Sequence, residues 1–171
     1  MKKLLFTISA VLVSSLSFGQ EELTQNTIKT VLTGNQSQVV QLAEAFPEDK
    51  YDWRPAEGIN SVGEALLHVA GANYFLASKM GFPPPAEVDV MALGNIKGKE
   101  NIIAALKASN AFILDKITMV KDDQLNEEVD FGFMKMNKLG GLLAVMEHNG
   151  EHKGQLIAYA RSNGVVPPWS K

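Results

Sequence analysis

Apolar residues recur at intervals of three and four along four stretches of this chain, and three of the four are closed by proline, glycine or a turn-forming pair. Side chains at that spacing fall on one face of a helix, and four such faces must bury one another. The first stretch runs from Thr24 to Phe46, carries Ile28, Leu32, Val39, Leu42 and Phe46, is interrupted by Asn35 and stops at Pro47. The second begins at Ser61, where Ser61-Val62-Gly63-Glu64 has the S-x-x-E form of a capping box, and runs to Met80 before Gly81 and three prolines. The third, Lys99 to Val120, aligns Ile102, Leu106, Ile113, Ile117 and Val120. The last, Lys138 to Ser162, closes at Asn163-Gly164, a left-handed cap, with Pro167 and Pro168 just beyond. The pattern predicts an all-α fold, a four-helix bundle of up-and-down or crossed connectivity.

Two connections are long. Pro83–Gly98 and Asp122–Asn137 have the length of a crossover or of lids at one end of the bundle. In the second, Val129, Phe131 and Phe133 alternate with Asp130 and Gly132, the pattern of a short extended strap.

The beginning of the chain reads differently. Met1-Lys2-Lys3 is basic, Leu4 to Leu16 is an apolar run, and Ser17-Phe18-Gly19 presents small residues for cleavage, which makes residues 1–19 an expected signal peptide cut near Gly19. The run is short for a membrane span, and no later stretch of about 18 apolar residues offers one. Residues 20–171 then form one domain, exported to a periplasm or secreted. The chain has no Cys, which excludes disulfides, a lipidated cysteine and a thiol nucleophile of its own. Its formal charge is −3, and losing Lys2 and Lys3 makes it more acidic still. Without a basic cluster it is a poor partner for nucleic acid or anionic lipid. At 46% apolar residues it has the means to build a core.

All three histidines fall on two of the helical stretches. His148 and His152 are four apart, rotated by only about 40° on a helix, and Gln155 and Tyr159 continue their stripe. On the second stretch Ser61, Glu64, Ala65, His68, Ala72 and Phe75 share a face, and Ala65, Gly71 and Ala72 leave room beside His68. Neutral imidazole is the commonest ligand for transition metals, and three protein ligands with one open position is the arrangement of catalytic zinc. A histidine on an apolar face is also an ordinary hydrogen-bonded core residue. Spacing alone leaves both readings open.

Trp53-Arg54-Pro55, the run Ser61-Val62-Gly63-Glu64-Ala65-Leu66-Leu67-His68-Val69-Ala70 and the run Glu147-His148-Asn149-Gly150-Glu151-His152-Lys153-Gly154-Gln155-Leu156 together resemble the DinB-like, or YfiT-like, superfamily of metal-dependent hydrolases. The resemblance extends from the first helix to Gly164. It implies a four-helix bundle binding one divalent transition metal, Ni, Zn, Fe or Mn, through His68, His148 and His152. It also implies hydrolysis, or transfer of a small thiol, on an unknown small-molecule substrate, and pairing as a homodimer. The family often has Arg where this chain has Lys153, a position expected to face outward. Thiol-transfer relatives work in the cytosol, which sits poorly with export.

Other residues compete for roles. His148-Asn149-Gly150-Glu151-His152 matches the H-x-x-E-H of inverzincin proteases, but too little chain follows His152 for their downstream acidic ligand. Glu151, Gln155 and Tyr159 are the weak candidates for proton handling. Glu64 could orient His68, although the capping box already accounts for it. Trp53, Arg54 and Lys135 lie in loops that could roof a substrate site, with Arg54 as a carboxylate clamp. Met134, Met136 and Met146 read as packing. Three functional classes follow: a metal-dependent hydrolase or transferase, a non-enzymatic metal- or ligand-binding bundle in envelope stress or resistance, and a purely structural interaction module with core histidines, which predicts no metal. The first needs an open coordination position and a proton-handling residue; the second is satisfied by a closed site.

Overall fold

A computed structural model of the protein describes residues 22–170. The signal peptide expected over residues 1–19 lies outside them. Four long helices dominate: α1 (Leu23–Ala45), α2 (Val62–Lys79), α3 (Lys99–Ile117) and α4 (Lys138–Ser162).

Their ends are set by local chemistry. At the start of α2, Ser61 Oγ accepts from the Glu64 amide at 3.3 Å and Glu64 Oε2 accepts from the Ser61 amide at 2.7 Å, completing the capping box. The amides of Val62 and Gly63 donate back to the carbonyls of Trp53 and Tyr51, so the helix start is pinned to the preceding loop. At the end of α4, Gly164 takes φ 70°. Val165 N–H then donates to Ala160 and Gly164 N–H to Arg161, the paired bonds of a Schellman cap. The third helix stops three residues before Val120, because the chain turns to hand the Val120 carbonyl to Gln25 Nε2 at 2.9 Å. Val120 is nevertheless buried.

α1 packs on α3 and α4, and α2 packs on the same two, so consecutive helices α1 and α2 occupy opposite corners. The core falls into two apolar ends. One collects Val39, Leu42, Phe46, Leu66, Ile102 and Leu156; the other collects Leu32, Leu76, Ile113, Ile117, Phe131 and Leu142. Followed along the chain, α2 and α3 run from the first end to the second, and α1 and α4 run the opposite way. The connectivity is therefore the crossed one, not a simple up-and-down alternation. The segment between α2 and α3 must travel back along the bundle, which is why it is long. It lays the 3-10 turn Val90–Asn95 against α2 on the way.

Between the apolar ends lies a polar layer to which every helix contributes. Asn73 Nδ2 donates to Ser109 Oγ and Asn110 Oδ1, and Asn149 Nδ2 donates to Asn73 Oδ1 at 3.0 Å. Gln36 of α1 is buried in this layer too. Asn35, the residue that breaks the apolar stripe in the sequence, instead accepts from Lys153 Nζ at 2.7 Å.

The expected strap is a small antiparallel hairpin, β1 (Glu128–Asp130) and β2 (Lys135–Asn137), in the register Val129↔Met136. Phe131 leaves the hairpin to plug the second core and is fully buried, while Phe133 at the tip is 64% exposed. Met136 and Met146 pack against that core as expected, but Met134 is exposed at the tip.

Candidate metal centre

The polar layer opens to the surface between α2 and α4, and there the three histidines meet. His68 Nε2 lies 3.1 Å from His148 Nε2 across 80 residues of sequence. The ring of His152 is 4.7 Å from that of His68 and 4.4 Å from that of His148, centroid to centroid. One ligand atom from each of the three lies within 4.8 Å of the others. The rings thus share one layer of the bundle. His68 is exposed, and His148 and His152 are half-buried.

This donor set fits a divalent transition ion. Two nitrogens at about 2.0 to 2.1 Å from one ion stand about 2.9 to 3.4 Å apart in octahedral or tetrahedral geometry. The His68–His148 spacing lies inside that window. Charge points the same way. Burial, followed by the neighbouring His152 and His68, pushes His148 down to about 4. Burial also lowers His68, helped by His152 and opposed by Glu151. Both rings are therefore held in the neutral form that a metal requires.

The sequence candidates Gln155 and Tyr159 prove to be supports. His152 Nδ1 is 2.7 Å from Gln155 Oε1, Gln155 Nε2 donates to Tyr159 Oη at 2.9 Å, and Tyr159 Oη donates to the Asn60 carbonyl at 3.0 Å. Because the Gln155 amide nitrogen is spent on Tyr159, its oxygen accepts, which assigns the proton to His152 Nδ1 and leaves Nε2 with a free lone pair. Trp53 holds the tyrosine edge-on at 5.3 Å between centroids. The chain of contacts fixes both tautomer and ring orientation, as partners of metal-bound histidine do elsewhere.

Other candidates take different places. Glu64 is the capping residue and an ion-pair partner of Arg54 at 3.1 Å, and its carboxyl is held low chiefly by the Ser61 amide. Arg54 also donates to the Ile59 carbonyl, so it is no open carboxylate clamp. Glu151 is exposed and touches His68 only through its field. Lys153, expected to face outward, is half-buried against Asn35.

Beside His68 and His148 runs a groove of about 800 Å³. Leu67, Gly71, Ala72 and Phe75 of α2 form one wall, Ala144 and Glu147 of α4 the other, and Val90, Leu93 and Phe133 the roof. The roof expected from Trp53, Arg54 and Lys135 is thus built by other residues. Sequence reading had no access to them, since neither the crossover path nor the hairpin tip is encoded in local periodicity. The alternation of Val129, Phe131 and Phe133 was the available signal.

Comparison with known proteins agrees with this architecture. "Uncharacterized protein YjoA" of Bacillus subtilis (strain 168) is 28% identical over 136 residues, covering 72% of this chain and 80% of that protein. A DinB-like protein from Bacillus cereus ATCC 10987 shares the fold with a TM-score of 0.68 at 18% identity, over 80% of this chain and 90% of that one. The crystal structure of the Bacillus subtilis DinB-like protein YjoA matches with a TM-score of 0.65 at 23% identity, over 82% and 93%. The model of the DinB family matches residues 23–171. The chain belongs to the DinB family.

Proposed function

We propose that this protein is an exported DinB-like metalloprotein in which His68, His148 and His152 hold one divalent transition ion, Ni, Zn, Fe or Mn, and that it acts on a small molecule as a metal-dependent hydrolase or thiol transferase. The observation that carries this reading is the meeting of the three rings from two separate helices beside an open groove, with the His152 tautomer already set. Such an ion would supply Lewis acidity towards a group lodged in the groove. The protein's own residues do the rest. Gln155 and Tyr159 orient His152, the apolar walls exclude water, and the roof at Leu93 and Phe133 confines the ligand.

One observation favours a second reading, binding without turnover. Gln155 and Tyr159 are committed to the Asn60 carbonyl, and Glu64 to its cap, which leaves Glu147 and Glu151 as the acidic groups nearest the histidines to handle a proton. The basic, apolar start of the chain supports export, with residues 20–171 as the mature domain.

Elemental analysis of untagged protein, with His68→Ala and His148→Ala alongside, tests the centre. One ion per chain, lost in both variants, is expected. Metal-free protein whose melting temperature ignores added nickel, zinc, iron and manganese would overturn it. Amino-terminal sequencing of protein recovered from the periplasm tests export, with Gln20 as the expected first residue.

A further inference from the structure

The groove beside the histidines has a one-sided charge. Its walls and roof are largely apolar, built from Leu67, Ala72, Phe75, Leu93, Phe133 and Ala144. The charged side chains lining it are both acidic, Glu64 and Glu147. Glu64 is neutralised by Arg54, but Glu147 is exposed and makes no ion pair among the described residues, and nor does Glu151 one turn on. Of the two basic groups nearby, one is engaged and the other lies at the hairpin end. Arg54 holds Glu64 and the Ile59 carbonyl, and Lys79 sits 5.4 Å above the Phe75 ring at the hairpin end. A carboxylate or phosphate placed at the histidine end would give up water and lie beside Glu147, with Lys79 about three helical turns away along α2 and no cation nearer except an ion held by the histidines.

We infer that the groove binds a small molecule with an extended apolar body, and that while the histidines hold no ion it takes a neutral or cationic polar end in preference to an anionic one. The volume suits a compound of drug size, and apolar walls with a few convergent polar groups are the usual make-up of such sites. Burial of the body against Phe75, Leu93 and Phe133 supplies affinity; the field of Glu147 and Glu151 supplies the charge preference. This identification of the ligand class rests on the histidine cluster being the reactive end of the groove, but the apolar contacts do not depend on an ion.

The test is calorimetric titration of the purified protein, metal-free and metal-loaded, with three matched probes: 4-phenylbutanol, 4-phenylbutylamine and 4-phenylbutyrate. In the metal-free form the alcohol and amine are expected to bind at least about tenfold more tightly than the carboxylate, a difference of about 1.4 kcal/mol. Glu147→Gln should narrow the gap between amine and carboxylate while leaving the alcohol unchanged. Ala72→Trp, or Leu93→Trp should the first fail to fold, should abolish binding of all three. Carboxylate binding equal to or tighter than that of the amine in the metal-free protein would overturn the inference, as would absence of binding by every probe. Metal content measured on the same samples separates the two readings. A loaded protein that binds none of the probes retains its metal centre and loses this ligand class; an apolar site in a protein that never takes up metal does the reverse.

Discussion

Replacing Gly141 by alanine should reverse the usual sign of a glycine-to-alanine change in a helix. Gly141 lies in the first turns of α4, where a Cβ would stand 2.5 Å from Phe131 Cζ and 3.0 Å from Met80 Sδ. Phe131 is fully buried in the second core, so its ring has no free direction in which to retreat. Alanine gains about 1 kcal/mol of helix propensity over glycine, whereas forcing a methyl into a packed core costs about 1 to 3 kcal/mol. The net is a loss of about 0 to 2 kcal/mol. Gly154, in the same helix, has no atom within 4 Å of its would-be Cβ, so Gly154→Ala should keep the full gain of about 1 kcal/mol. The two variants should therefore differ by about 2 kcal/mol, or roughly 4 to 8 °C in Tm for a domain of this size. Urea denaturation of the pair, with Phe131→Leu and the double variant Gly141→Ala/Phe131→Leu, measures it. A smaller side chain at 131 should recover about 1 kcal/mol of the Gly141→Ala penalty as a coupling energy. Equal stabilisation by both alanines would refute the reasoning, because it would mean that Phe131 does not fill the space above α4. The consequence reaches the groove, since Phe131 anchors the hairpin whose tip, Phe133, roofs it.

Two further outcomes are expected at the histidines. Gln155→Leu removes the acceptor that fixes His152 and should weaken metal affinity by about 10- to 100-fold in competition with a chromophoric chelator; affinity within a factor of two of the parent would show that Gln155 does not orient the ring. In the metal-free protein, the unfolded chain protonates residue 148 near the ordinary histidine value of 6.5, while the folded chain resists until about 4. The stability contributed by neutral His148 is thus whole above pH 6.5 and is lost as the pH falls towards 4. His68, also lowered, adds a loss of the same sign. His148→Gln should flatten this acid limb in a plot of Tm against pH, and an unchanged slope would remove His148 from the explanation.

The helices and their ends were legible because their causes are local. Apolar spacing, the Ser61–Glu64 box and the Asn163-Gly164 cap act within a few residues, and α4 spans the expected Lys138–Ser162. The histidine pair was legible for the same reason: residues four apart on a helix must share a face. Sequence could also place Gln155 and Tyr159 on that stripe, but not their task, which depends on the Asn60 carbonyl 99 residues away.

What local chemistry leaves open is which stripe meets which. A helix face specifies that it must be buried, not its partner or its direction, so an up-and-down bundle and a crossed one satisfy the same periodicity. Tertiary packing chose the crossed arrangement, and with it the long return along α2 that roofs the groove with Val90 and Leu93. It also aligned Gln36, Asn73, Asn110 and Asn149, one from each helix, into a single buried polar layer that no one segment announces. The sequence by itself determined four amphipathic helices and a two-histidine face. Only the tertiary structure decided that His68 would meet that face across 80 residues, because a ligand drawn from a distant helix is positioned by the summed burial of two cores.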